Sequence, residues 1–306
     1  MASGMKILIA YDGSDCSDAA LGDLKRAGLP REAEALVVSV AESWMPSVAT
    51  QLGAALATAA EPLFAPDEGA RSLALAAGLR LQTAFPGWGV RAEAITGSPA
   101  PAILRKCDEW RPDLLVVGSH GRSAIGRFVL GSVSQKVMTE AHCSVRIARA
   151  RESADTGAPA RVLFGFDGSI DAREAARVVA SRSWPEKSLV RVLAVLAPSV
   201  SESPLFPWTP EQVARREADA REWMQGRLAS IELELRSAGL AAEAALTVGA
   251  PAQTILEEAE GWGADCLFIG ARGLNRLVRF LLGSVATAVA ARARCSVEVV
   301  RDGRRA

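Results

Sequence analysis

The sequence predicts an α/β protein of two tandem domains, each a five-stranded parallel sheet with helices on both faces. Three observations predict it. A chain of 306 residues is long enough for two domains of roughly 100–200 residues each. The chain also repeats itself: LLVVGSHGRSAIGRFVLGSV from Leu114 matches CLFIGARGLNRLVRFLLGSV from Cys266, an offset of 152 residues (266 − 114). The same offset relates Gly97-Ser98-Pro99 to Gly249-Ala250-Pro251, Trp110 to Trp262 and Cys143 to Cys295. At the front of each copy, KILIAYDGSDCSDAA and RVLFGFDGSIDAREAA align Asp12 with Asp167 at an offset of 155. Finally, short apolar runs alternate with helical stretches in each copy, the pattern that builds a parallel sheet covered by helices.

In chain order, Ile7–Ala10 and Val162–Phe166 are short apolar runs that read as buried first strands. Ser14 and Ser169 stand where N-caps belong, ahead of helices expected over 17–27 and 171–181. Second strands are expected at Ala35–Val40 and Leu189–Leu196, and Pro-rich segments at Glu42–Pro66 and Ala197–Pro210 then lead into a long helix. Third strands, Val90–Ile95 and Ala242–Val248, run into G-x-P, where Pro99 and Pro251 suit a first helical turn. Those helices end near Trp110 and Trp262, before fourth strands at Leu114–Val117 and Cys266–Ile269. After a Gly-rich loop come a last helix and fifth strands at Val145–Ala148 and Val297–Val300. The small, polar stretch ARESADTGAPA reads as a linker over 150–160, dividing domains at 1–149 and 161–302. Right-handed crossovers leave one crevice per sheet, where the strand order reverses at the carboxyl ends. Asp12 and the Gly118 loop are expected to meet there.

The loop reads Gly118-x-x-Gly121, nine residues, then Gly131-Ser132-Val133; its twin reads Gly270-x-x-Gly273, nine residues, then Gly283-Ser284-Val285. Glycines let backbone approach a phosphate with no Cβ in the way. The Gly-Ser pair falls where the last helix begins, so free N–H groups and the positive end of the helix dipole face an anion. Ser132 and Ser284 add hydroxyl donors. One G-x-x-G would be weak evidence; the full spacing twice, after a strand and before a helix each time, is strong.

These residues resemble the ATP-binding branch of the universal stress protein family, and the resemblance covers nearly the whole chain as a tandem pair. It implies Rossmann-like, adenine-nucleotide-binding domains that pair through their last strands, here as an intramolecular pseudo-dimer that leaves room for a further homodimer. It places adenine near Val40 and Val195, and ribose and any phosphate-bound Mg²⁺ near Asp12 and Asp167. It assigns the loop to Val117, Gly118, His120, Gly121 and Arg122, and the triphosphate end to Gly131, Ser132 and Val133. In the second half the matching residues are Ile269, Gly270, Arg272, Gly273, Gly283, Ser284 and Val285. ATP, or ADP or AMP, with Mg²⁺ is the implied ligand, and a protein partner of unknown identity the implied target. Two departures stand out. Leu274 replaces the basic residue that Arg122 supplies, leaving Arg272, Arg276 or Arg279 to compensate, and Cys143-Ser144 and Cys295-Ser296 replace the family's Cys-Pro.

The rest of the sequence narrows the function. Lys plus Arg and Asp plus Glu both number 35, so no global field draws nucleic acid or an anionic membrane. No stretch approaches the roughly 18 apolar residues that span a bilayer, and MASGMKILIAYDGS lacks a signal-peptide pattern; a cytoplasmic protein is expected. Five cysteines fit neither a disulfide framework nor metal spacing and read as buried reduced thiols. No P-loop, G-x-G-x-x-G or nucleophile–base pair is present. A regulatory ATP-binding protein that is not an enzyme is therefore expected. The alternatives are a slow ATPase, autokinase or adenylyl transferase on the same sheet, and a scaffold without ligand. His120 has no orienting partner in the motif, and its twin Arg272 abandons the imidazole. Trp110 and Trp262 read as packing anchors, Arg216, Arg221 and Arg227 as a solvated face. Arg146 and Glu298 are equivalent positions (298 − 146 = 152), so antiparallel last strands would set them face to face as opposite charges.

Overall fold

A computed structural model describes residues 4–42, 66–121, 130–150, 158–198, 209–273 and 282–302. The first half runs β1 (Met5–Ala10), α1 (Asp15–Asp23), a 3₁₀ turn (Leu24–Arg26), β2 (Ala33–Ala41), α2 (Pro66–Ala84), β3 (Trp88–Thr96), α3 (Pro99–Trp110), β4 (Leu114–Gly118), α4 (Ser132–Glu140) and β5 (Ser144–Ala148). The second half repeats it as β6 (Arg161–Gly165), α5 (Ile170–Ser181), β7 (Leu189–Leu196), α6 (Pro210–Ser237), β8 (Ala241–Val248), α7 (Pro251–Gly261), β9 (Cys266–Gly270), α8 (Ser284–Arg292) and β10 (Ser296–Val300).

The ten strands form one sheet in the order β3-β2-β1-β4-β5-β10-β9-β6-β7-β8. Every neighbouring pair within a half is parallel, and β5 meets β10 antiparallel, with Glu298 opposite Arg146. The order reverses between β1 and β4, and between β6 and β9. Central strands carry side chains buried on both faces, such as Ile7, Leu8, Ile9 and Leu114–Val116, as continuous apolar runs in a parallel sheet should. The strand starts are fastened alike: the backbone N–H of Lys6 donates to Asp113 Oδ2 at 2.7 Å and that of Arg161 to Asp265 Oδ2 at 2.7 Å.

Several boundaries differ from expectation for local reasons. The first helix starts at Asp15 because the Ser14 hydroxyl accepts from Ser17 N, which puts Asp15 in the first turn; its last residues tighten into the 3₁₀ turn, so the regular helix ends at Asp23, not 27. The helix of the second half starts at Ile170, one residue early, under the Ser169 cap. The strand expected to reach Phe166 ends at Gly165. All five cysteines are free, but only Cys107 and Cys266 are fully buried; Cys16, Cys143 and Cys295 are half-buried. Trp110 and Trp262 also carry cations, Lys6 Nζ at 5.1 Å and the Arg191 guanidinium at 4.4 Å from the ring centres. Arg227 is half-buried against Trp223 and does not belong to a solvated face. The Pro-rich stretches at 43–65 and 199–208 and linker residues 151–157 lie outside the described residues.

Two kinds of bond join the halves at the β5–β10 junction, beside an Arg26–Asp265 ion pair at 3.2 Å and a bond from Ser183 N to Gly28 O at 2.8 Å. One kind is symmetric. Arg149 N donates to Ser296 Oγ at 3.0 Å, and Arg301 N to Ser144 Oγ at 3.2 Å; the serines that replace proline thus hold the partner strand's exit. The Arg149 guanidinium donates to the carbonyls of Ala290, Ala291 and Cys295 at the end of α8, and Arg301 to those of Met138, Thr139 and Cys143 at the end of α4, the favourable place for a cation. The other kind is a buried charge chain. Arg146 Nη1 lies 3.2 Å from Glu298 Oε2, Arg146 Nε 2.6 Å from Asp23 Oδ2, and Arg182 bonds Glu298 Oε1. Burial opposes the charge of Arg146, but Asp23 and then Glu298 outweigh it and hold its pKa above the ordinary value.

Strand β4 and helix α1 approach closely: a Cβ on Gly118 would sit 2.8 Å from the backbone carbon and oxygen of Cys16, and one on Gly270 would sit 2.7 Å from Ala172 N. Gly118→Ala or Gly270→Ala is expected to destabilise the fold by about 1–3 kcal/mol. Gly22→Ala, with nothing within 4 Å, should instead stabilise by roughly 0.5–1 kcal/mol. Urea denaturation midpoints of the three variants check this.

Candidate functional site

Four helices follow the strands that flank the two reversals of strand order, and their starts fall into two kinds. Helices α1 and α5 are capped by serine: the Ser14 and Ser169 side chains accept from Ser17 N and Ala172 N. Helices α4 and α8 have glycine N-caps, Gly131 and Gly283, with no side-chain cap bond. Their first N–H groups have no intrahelical partner, so each presents oriented donors and a positive dipole end to the crevice.

In the first half the crevice at the β1/β4 switch has a volume of about 1300 Å³. Asp12, Val40, Val117, Gly118, His120, Gly121, Gly131, Ser132 and Val133 all line it, so nine of the ten residues singled out in this half come together. The tenth, Arg122, lies outside the described residues. Asp12 Oδ1 accepts from Ser14 N at 3.0 Å and Ser14 Oγ at 2.6 Å, an Asx-type turn. Its second oxygen faces the loop, where a Cβ on Gly121 would be 3.0 Å away. Gly131 N donates to Ser119 O at 2.8 Å, and a Cβ there would press on His120 Cα at 3.2 Å. Ser134 Oγ donates to Gly118 O at 2.7 Å and ties α4 to the end of β4. The glycines are thus required by close packing of loop, helix and carboxylate. His120 Nδ1 lies 3.1 Å from Ser119 Oγ. Burial, with a smaller effect from the Arg149 guanidinium, lowers its pKa below the ordinary histidine value.

The second half repeats this frame with different fastenings. Asp167 Oδ1 accepts from Ser169 N at 2.9 Å, its other oxygen stands 2.8 Å from where a Gly273 Cβ would be, and Gly283 N donates to Ala271 O at 2.8 Å. Ile269 and Gly270 end β9, Ser284 and Val285 open α8, and Val195 and Val285 pack on the same core cluster as Val40 and Val133. Here the loop is held to α5: Ser169 Oγ donates to Arg272 O at 3.0 Å, and the Arg272 guanidinium bonds Asp171 at 2.8 and 3.2 Å. Arg272 is therefore engaged by a carboxylate of its own half. Arg276 and Arg279 lie outside the described residues.

Sequence reasoning passed over three residues. Lys136 lines the first crevice; its spacing of four from Ser132 on one helix face was the available signal. Asp171, the partner of Arg272, stands at the place of Cys16 (171 − 155), so the repeat itself hid a change of residue type. Trp223, 42% exposed with the Arg227 guanidinium 4.4 Å from its ring centre, lies over Gly168, 2.6 Å from where a Cβ would be; no spacing rule pointed to it.

A family model described as "Universal stress protein family" matches residues 5–149 and 160–301. A universal stress protein of Mycobacterium tuberculosis (strain H37Rv) is 29% identical over 214 residues, 70% of this chain and 69% of that protein. One from Thermus aquaticus is 36% identical over 145 residues, 47% of this chain and 97% of that protein. The crystal structure of a universal stress protein from Archaeoglobus fulgidus shares the fold with a TM-score of 0.65 at 22% identity, covering 97% of this chain and 98% of that one.

The lowered pKa of His120 has a pH consequence. The neutral imidazole is favoured in the folded state, so its contribution to stability is present above the unfolded value of about 6.5 and lost as pH falls through the lower folded value. NMR titration is expected to place the His120 midpoint below that of a histidine in a disordered peptide, and His120→Gln should remove this part of the acid sensitivity.

Proposed function

That the chain belongs to the universal stress protein family is the premise from which we propose its function: a regulatory protein that binds an adenine nucleotide in each half, ATP, ADP or AMP, and changes shape or partner with occupancy. The family is typically non-catalytic, and the chain is not classed as an enzyme. The observation that carries the reading is the pair of glycine-capped helix starts, α4 and α8, each at a crevice beside a carboxylate held by an Asx-type turn.

In this reading the N–H groups that follow Gly131 and Gly283, with the Ser132 and Ser284 hydroxyls, hold the phosphates. Val117, Gly118, His120, Gly121 and Val133, and Ile269, Gly270, Arg272, Gly273 and Val285 after them, wall the ligand. Val40 and Val195 face the adenine. Among the described residues no group of three or more His, Cys, Asp or Glu side chains could hold a metal by itself. A magnesium ion carried on phosphates keeps most of its water and needs only one or two carboxylates, and Asp12 and Asp167 fit that need. The loop glycines leave room beside each carboxylate that a Cβ would fill. We take residues 150–160 as the linker of an intramolecular pseudo-dimer, working in the cytoplasm on a protein partner and on neither nucleic acid nor membrane. No described helix is long and apolar enough to cross a membrane.

Mass spectrometry of small molecules released from freshly purified protein tests the reading. Adenine nucleotide is expected from the native chain, about half from Gly131→Asp or Gly283→Asp alone, and none from the double variant, since a carboxylate there fills the nest and repels phosphate. Native protein that carries no nucleotide and takes up none from ATP and Mg²⁺ would refute it.

A further inference from the structure

The two kinds of bond at the β5–β10 junction do different work. The symmetric kind is available to any pairing of halves. Arg149 meets Ser296 and the end of α8, and Arg301 meets Ser144 and the end of α4, at positions related by the repeat offset (301 − 149 = 296 − 144 = 152). Two first halves placed last strand to last strand would find the same partners in each other. These bonds supply adhesion and no choice.

The charge chain is different. Arg146 and Glu298 occupy one repeat position and pair in the middle of the ladder, so the local twofold passes through them and each residue would face its own copy in a like-with-like assembly. Both are 0% exposed. Their supports are also one-sided. Asp23 accepts from Arg146 Nε and Nη2 at 2.6 and 3.1 Å and from Ser296 Oγ at 2.7 Å, but its repeat counterpart (23 + 155) is the apolar Val178. Arg182 bonds Glu298 and donates to Ala27 O at 3.1 Å, and Ala27 is its own counterpart (182 − 155). The signs alternate along Asp23, Arg146, Glu298 and Arg182, two from each half. First half on first half would set two guanidiniums across the twofold, each with only its own Asp23 and without the Glu298 contact; second on second would set two carboxylates there, each with only its own Arg182. Buried like charges are strongly disfavoured.

We propose that Asp23, Arg146, Arg182 and Glu298 form a polarity code that makes the last-strand surface of the first half accept a second half and refuse a first half. A second copy of this chain can then enter the junction only by reciprocal exchange of halves.

Two full-length variants with different affinity tags test this, Asp23→Asn/Arg146→Glu and Arg182→Gln/Glu298→Arg. Within either variant every pairing of halves, inside one chain or between two, sets like charges across the twofold. Mixed, they set opposite charges across both junctions, whether first half meets second by exchange or each half meets its own kind from the other variant. Co-expression followed by two-tag purification and native mass spectrometry is expected to yield a one-to-one dimer exceeding same-variant dimers by roughly tenfold or more. Each variant expressed alone should show a lowered denaturation midpoint or be insoluble. The proposal is overturned if either variant alone keeps the native midpoint. It is equally overturned if co-expression yields separate chains, same-variant dimers in equal measure, or insoluble protein from both.

Discussion

The antiparallel ladder between β5 and β10 is the constraint on which the molecule rests. Each half places its last strand at an open sheet edge, and an unpaired edge buried beside a large apolar core would leave backbone donors and acceptors unsatisfied. Pairing the two edges removes both at once and merges two five-stranded sheets into one. The core follows suit: Val145 and Ile147 from β5 share one cluster with Val297 and Val299 from β10. Burying Arg146, Glu298 and Arg182 at this seam, with Asp23 half-buried beside them, is costly in itself, and such chains are better at choosing a geometry than at stabilising it. The seam's adhesion comes from strand pairing, apolar burial and arginines set at helix ends.

The crevices depend on a second economy. Loop, helix and carboxylate crowd so closely that side chains are excluded at Gly118, Gly121 and Gly131 and at their twins. The same crowding aims the start of α4 at the carboxylate of its own half, Asp12, and the start of α8 at Asp167. Shape and chemistry thus arise from the same few positions, and for this reason a spacing of glycines carries so much meaning. The halves differ in how the loop is fastened. In the second, Asp171 and Ser169 hold Arg272 by side chain and backbone. In the first, the corresponding neighbours are a 3.8 Å contact between Ser119 Oγ and Cys16 Sγ and a histidine.

Most of the fold was legible because the signals were local and appeared twice. Apolar runs of strand length, Ser before a helix and Pro after Gly each reflect short-range physics, and the repeat turned each into two independent observations. Helix ends were less legible: whether α1 begins at Asp15 or two residues later turns on which amide the Ser14 hydroxyl reaches, a matter of rotamer and not of composition. In the candidate site, the glycines and Asp12 were legible from spacing. Lys136 was legible only through its spacing from Ser132, and Trp223 was not, because it arrives from α6, whose angle to the site is set by packing. Arg146 and Glu298 were legible as a pair only because the repeat made them equivalent. Asp23 and Arg182, which complete the chain, have counterparts of another type and left no trace in the repeat.

Because β5 and β10 run in opposite directions, the carboxyl ends of the strands in one half point away from those of the other. The two reversals of strand order, each at the carboxyl ends of its strands, therefore lie on opposite margins of the shared sheet. A rigid partner docked at one margin leaves the second uncovered. On the proposed reading the chain would be two-ended, with one ligand state at one pole and another at the far pole, and the shared sheet running between them.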